Sequence, residues 1–161
     1  MGLAGIGVST CPGGVETAEK IRGHWQLFHR LWIVFTELAS VAIKKGMPVH
    51  SEWPHSCSYW RDKRVIRFVR RYGGATSRIH GCAYGMVASS GEPIKKPWRV
   101  VSFNSSLPSL LDRKCPRDHV HNHIQGGETT RSHMYPPAVC HVVHEGFKIG
   151  AERIHDWQIP M

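Results

Sequence analysis

The stretch Gly46-Met-Pro-Val-His-Ser-Glu-Trp-Pro54 decides how the chain is read. Gly46 stops whatever helix precedes it, Met47 to Trp53 reads as a strand, and Pro54 closes that strand because it has no N–H to give a ladder. Upstream, from Glu16 to Lys45, Ile21, Trp25, Phe28, Trp32, Phe35, Ala39 and Ala42 recur at three- and four-residue steps. That spacing predicts a long helix with one aromatic, core-facing side. Before it, Leu3 to Ser9 reads as a buried strand that ends in the turn Thr10-Cys-Pro-Gly-Gly14. Downstream, Arg61 to Tyr72 predicts a second helix, with Val65, Phe68, Val69 and Tyr72 inward and the arginines on its solvated face. Gly73-Gly74 ends it. Ser77 to Tyr84 and Trp98 to Phe103 read as further strands, Leu107 to Leu111 as a helical turn, and Tyr135 to Ile154 as a last helix entered through Pro136-Pro137. Strand, helix, strand, helix, strand is the order that builds a parallel sheet covered by helices. The expected fold class is therefore α/β. It would be Rossmann-like, a mostly parallel sheet flanked by helices, truncated at the N-terminus and followed by a Cys/His-rich C-terminal loop. A mixed α+β packing would read almost the same.

Composition bounds the possibilities. A chain of 161 residues with 41% hydrophobic content suits one globular domain over 1–161. No apolar run reaches the roughly 18 residues needed to cross a bilayer, and the N-terminus lacks the features of a secretory signal. The expectation is an intracellular protein, cytoplasmic or nuclear, with no membrane partner. Five cysteines, odd in number and scattered, fit reduced thiols better than a disulfide framework. The net charge of +9 and a pI near 9.7 favour a polyanionic partner, nucleic acid being the usual one. Basic residues cluster at Arg61, Lys63, Arg64, Arg67, Arg70 and Arg71, and again at Lys95, Lys96 and Arg99.

The densest chemistry lies in Cys115-Pro-Arg-Asp-His-Val-His-Asn-His123. Cys115, His119, His121 and His123 offer one thiol and three imidazoles, a ligand set for zinc, within a segment (113–145) that also holds Cys140, His141 and His144. The competing interpretation is a solvated loop on a protein that already has twelve histidines. At the ends of the two expected N-terminal strands stand Cys11 and Glu52, a thiol and a carboxyl suited to act as nucleophile and acid. Taken singly, each residue is more readily structural: cysteine is a common small buried residue, and a glutamate at a strand end often caps a helix or pairs with a cation. Trp60 reads as core, and Trp98, beside three basic residues, as a ring on which a base could stack.

Four short motifs occur in a specific order: Thr10-Cys11-Pro12, Ser51-Glu52-Trp53-Pro54, Gly81-Cys82-Ala83-Tyr84-Gly85 and Lys95-Lys96-Pro97-Trp98-Arg99. In that order, over most of residues 5–145, the chain resembles the later half of DNA cytosine-C5 methyltransferase-like domains, in particular divergent forms from phage and mobile-element polyproteins. The spacing of Cys115, His119 and His121 is similar to a run that follows in the mobile-element group. The resemblance implies DNA rather than RNA as the partner, attack of Cys11 on a flipped-out cytosine, Glu52 holding the base, S-adenosylmethionine as methyl donor, and phosphate contacts from Lys95, Lys96 and Arg99, with Trp98 beside them. Glu52 is followed by Trp53 where the better-known enzymes have Asn. Only ten residues precede Cys11, whereas the family's glycine-rich cofactor turn lies further upstream, so the resemblance implies completion by an upstream domain or a second chain. Two rivals need no such half. One is a non-enzymatic nucleic-acid-binding module stapled by zinc. The other is a His-metal finger nuclease built on Asp118-His119, Asn122 and Cys140-His141.

Overall fold

The computed structural model describes residues 12–124, 129 and 132–155, with side chains described from 17 to 150 within those ranges. The expected strand at Leu3 to Ser9, and Cys11 with it, lie outside the described residues. The chain divides into two compact units, Met1–Ser40 and Val41–Met161. The first unit holds most of helix α1, Pro12–Lys44. Its aromatic side forms as the periodicity predicts: Phe28 and Trp32 are buried, and ring contacts run from Trp25 to Phe28 (5.6 Å), on to Trp32 (5.9 Å) and on to Phe35 (5.0 Å). Ile21, expected inward, is exposed.

The second unit is built on three strands: β1 (Val49–Pro54), β2 (Ala75–His80) and β3 (Pro97–Phe103). They lie in the order β1-β3-β2, and β3 is antiparallel to both neighbours. The expected Rossmann-like, mostly parallel sheet is therefore incorrect. β1 and β2 do run the same way and are joined through helix α2 (Lys63–Arg71), as strand–helix–strand order requires, but they are not neighbours. The segment between β2 and β3 contains no helix to carry the chain back across the sheet. Instead a 3-10 turn (Gly81–Tyr84) and a bridge between Val87 and Pro93 turn the chain at the end of β2. β3 then re-enters from that end, between the two parallel strands, which only antiparallel pairing permits. The third strand also ends at His80, and the residues expected to extend it to Tyr84 form the 3-10 turn.

Both faces of the sheet are covered, which explains the continuous buried run Val100-Val101-Ser102-Phe103 in the central strand. On one face Trp98, Val100 and Ile79 pack with Leu107 and Leu111 of α3 (Leu107–Leu111) and with Val139 of α4 (Pro137–His155). On the other, Phe103 meets Phe68 of α2 edge-on at 5.6 Å. Helix α2 begins at Asp62, whose carboxylate accepts from the Arg64 N–H at 2.8 Å. It ends with Arg70 and Arg71 in the last turn, where cations suit the dipole.

Gly74 lies where α2 hands over to β2. A Cβ there would stand 2.7 Å from Phe103 Cε1 and 2.8 Å from Val101 Cγ1. Phe103 is 2% exposed and cannot move aside. Gly74→Ala is therefore expected to destabilise the protein by about 1–3 kcal/mol in urea unfolding, although alanine ordinarily stiffens the unfolded chain in favour of folding.

Candidate metal centre

The end of β2 and the segment after α3 are tied together by backbone bonds before any ligand is considered. The His80 N–H donates to the Arg113 carbonyl at 3.0 Å, and the Cys115 N–H donates to His80 Nδ1 at 2.9 Å. The Tyr84 hydroxyl donates to the Leu111 carbonyl at 3.0 Å. The 3-10 turn that carries Cys82 starts at Gly81, where a Cβ would fall 2.8 Å from Met86 Sδ and 3.0 Å from the Ile94 carbonyl. These contacts bring Cys82 beside Cys115 across a long stretch of sequence.

Two histidines complete the group. Cys115 Sγ stands 3.6 Å from His119 Nε2 and 3.3 Å from His121 Nε2, and His121 Nε2 is 3.4 Å from Cys82 Sγ. The four ligand atoms of Cys82, Cys115, His119 and His121 all lie within 4.8 Å of one another. A tetrahedral zinc ion with ordinary Zn–S and Zn–N bonds requires sulfur–nitrogen separations of about 3.5 Å. The observed separations match that geometry. Supporting groups are also in place. Asp118 Oδ1 lies 2.6 Å from His119 Nδ1, the carboxylate–histidine pairing that orients a ligating imidazole. The Arg117 N–H points to Cys115 Sγ at 3.3 Å.

The electrostatics describe a group shaped for a cation. Burial, and then the neighbouring Cys115, push the Cys82 thiol up to about 11. A thiolate at Cys82 is therefore favoured once a positive ion joins it. Burial, His119 and Lys95 lower His121, and burial with Lys95 and other cations lowers His80, so both imidazoles are held toward the neutral form. A neutral imidazole is the form that ligates, and a neutral His80 can accept the Cys115 N–H.

The cluster differs from the expected one at a single position. Cys115, His119 and His121 are brought together, but His123 is exposed and outside the group, and Cys82 takes the fourth place. Between His121 and His123, Asn122 is anchored away from the group: its N–H donates to the Pro93 carbonyl at 2.9 Å and its side-chain amide to Glu92 Oε2 at 2.6 Å. Cys140, His141 and His144 lie on α4, exposed and outside the group. No local pattern singles out Cys82, which lies far from the Cys/His run in sequence and joins it only through the end of β2.

The other expected site residues are dispersed. Glu52 lies on the α3/α4 face of the sheet and lines a cavity of about 550 Å³ with His50, Val100, Leu107, Val139 and Phe147. Its Oε2 accepts from the Tyr135 hydroxyl, while Oε1 is buried without a partner. Its expected partner Cys11 is outside the described residues. Lys96 donates to the carbonyl and hydroxyl of Ser132. Trp98 is 4% exposed and packs in the core against Tyr135, so it presents no ring face to a base. Lys95 is exposed near His121 and His80, and Arg99 lies on the opposite sheet face over Trp60, which is core as expected.

Comparison with protein-family models, with curated proteins and with solved structures finds no match to the chain. No helix among the described residues is long and apolar enough to cross a membrane.

The ligand assignment separates two variants. Cys82→Ser is expected to lower bound zinc from near one per chain to well below half, measured by elemental analysis after dialysis, whereas His123→Ala should leave it unchanged.

Glu52 yields a pH prediction. Burial raises its carboxyl above the ordinary value, against the pull of the Tyr135 hydrogen bond and the Lys96 charge. The folded protein thus holds this proton more tightly than the unfolded chain. The contribution is complete below the unfolded value near 4.5 and is lost as pH rises through the folded one. Across that window, urea midpoints of the wild type should fall relative to those of Glu52→Gln.

Proposed function

We propose that Cys82, Cys115, His119 and His121 hold one zinc ion as a structural staple, and that the module so closed binds nucleic acid through the basic surface around it. The observation that carries this reading is the match between the sulfur–nitrogen separations of 3.3–3.6 Å and tetrahedral coordination. Two thiolates and two imidazoles suit zinc in preference to magnesium or calcium, which favour oxygen. Four protein ligands leave no position for a water nucleophile, which supports a structural role over a hydrolytic one. The loop it would close has little else to order it, since Val120 is 88% exposed.

Arg78, Lys95, Arg113, Lys114 and Arg117 are all exposed on the segments that build or flank the centre, and Arg64, Arg67, Arg70 and Arg71 are exposed on α2. A cationic surface of this kind attracts phosphates without regard to sequence. The nuclease alternative needs His119 to activate water, a role that competes with its place beside Cys115. Methyl transfer from S-adenosylmethionine to DNA needs a strand-end cleft of a parallel sheet, and an antiparallel β3 removes the geometry on which that expectation rested.

The zinc-loaded protein is expected to bind a short DNA duplex with a log–log salt slope of about −3 or steeper. Cys115→Ala should release the metal, lower the melting temperature and weaken binding together. Calorimetry with S-adenosylmethionine is expected to show no heat of binding. Zinc absent at every stoichiometry would end the staple, and salt-insensitive or undetectable DNA binding would end the nucleic-acid reading.

A further inference from the structure

The face of the sheet opposite Glu52 carries a cationic arrangement that the metal centre does not use. Arg78 of β2 and Arg99 of β3 are directly paired in the antiparallel register. Residues so paired project from the same face with Cβ atoms close together, and like charges there repel. Trp53 stands opposite Arg99 on the β1 side, and the Arg99 guanidinium lies 5.3 Å from the centroid of Trp60. That ring holds the guanidinium in place. His55 follows β1 and is fixed by its N–H, which donates to the Pro97 carbonyl at 3.0 Å. Three nitrogen-bearing side chains, two from neighbouring strands and one from the loop after β1, thus lie near one another toward one end of the sheet.

Two of them are left unsatisfied. Arg99 Nε and His55 Nδ1 are buried with no hydrogen-bond partner. Neither guanidinium has a carboxylate partner among the described residues. The acid that approaches, Asp112, is engaged elsewhere: one oxygen accepts from the Arg78 backbone N–H at 2.7 Å and the other lies 3.6 Å from Lys114 Nζ. Burial and the charge of Arg78 lower the proton affinity of Arg99, and burial with both arginines lowers that of His55, as expected of cations crowded without a counter-charge. Opposed arginines, an idle buried nitrogen on each of two neighbouring side chains and the lack of an acid together describe a receptacle for a tetrahedral oxyanion.

The geometry points to a phosphate-binding notch formed by Arg78, Arg99 and His55, which seats one phosphodiester of a bound nucleic acid. Assigning the phosphate to nucleic acid rests on the reading above; the notch itself follows from the sheet. Arg99 supplies the fixed donor, Arg78 the second charge from the solvent side, and His55 a third contact. Lys95 and Lys114 near His80 extend the positive path toward the metal centre.

The test uses the full zinc-loaded chain. Inorganic phosphate is titrated while the Arg99 Nε–Hε resonance is followed by NMR, with chloride at matched ionic strength as reference. A ten-nucleotide thymidine strand is titrated in parallel by fluorescence anisotropy. Arg78→Gln is compared with Arg67→Gln, an equal charge change on the exposed face of α2. Phosphate should shift the Arg99 resonance in the wild type and not in Arg78→Gln. The oligonucleotide should lose about fivefold to tenfold in affinity with Arg78→Gln and less than twofold with Arg67→Gln. Because Arg78→Gln removes a like-charge pair, its melting temperature without phosphate should rise by about 1–3 °C, which shows that the variant folds. Equal losses in the two variants, or an Arg99 resonance that responds to phosphate no more than to chloride, overturn the notch while leaving nucleic-acid binding in place. An Arg78-dependent phosphate response with no oligonucleotide binding establishes the notch as a site for free phosphate and overturns the nucleic-acid reading.

Discussion

The N–H of Cys115 donated to the Nδ1 of His80 is the contact on which the site depends, because it fixes the start of the Cys/His loop to the end of β2. The adjoining bond from the His80 N–H to the Arg113 carbonyl makes that attachment two-pointed, and so sets the direction in which the chain leaves it. From there Cys115 faces Cys82, and the alternate residues His119 and His121 of an extended segment fall on the same side. Hydrogen bonds of this kind contribute about 1 kcal/mol each, enough to orient a loop but not to hold two thiols against their mutual crowding. In the proposed staple a cation would supply that part. Two thiolates with one divalent ion and two neutral imidazoles carry no net charge, so the staple is compatible with a surface already rich in positive charge.

The inserted strand has consequences beyond topology. Because β3 runs opposite to its neighbours, its first residues lie beside the last residues of β1 and β2: Trp98 pairs with Pro54 and Pro97 with His80. His55, at the start of the connection after β1, and Cys82, Lys95 and Lys96, at the two ends of the connection between β2 and β3, therefore all emerge at the same end of the sheet. A parallel third strand would have sent its own leading loop to the far end and dispersed them. The metal centre and the cationic notch share this end while using different connections, so the staple can order the loops that frame the notch without occupying it.

The periodicities located nearly every element of the described chain. The aromatic repeat of α1, the Asp62-led helix, the β-branched run of β3 and the Pro-entered α4 are set by residues close in sequence, and local pattern reports them. Strand direction is different, since it is settled by what the connection does. The stretch between Gly85 and Lys96 carries neither helical nor strand periodicity, and its Val87–Pro93 bridge leaves no mark in hydropathy. Metal ligation divides along the same line. Cys115, His119 and His121 announce themselves because they are adjacent, whereas Cys82 enters through tertiary packing. His123 continues the alternation but lies past Asn122, whose bonds to Pro93 and Glu92 hold the chain outside the group.

Strand alternation also bears on whether the carboxyl and the basic residues singled out by sequence can act together. Glu52 pairs with Val100, and Trp53 pairs with Arg99, so Glu52 and Arg99 project from opposite faces of one sheet. Lys96 comes near Glu52 but is occupied with Ser132. A base held by Glu52 would sit among Leu107, Val139 and Phe147, while its own phosphate would have to pass through the sheet to meet Arg78 and Arg99. One nucleotide cannot satisfy both. In the proposed reading the cationic face is therefore a surface independent of Glu52, whose cavity is lined mainly by apolar side chains and whose one hydrogen bond comes from Tyr135.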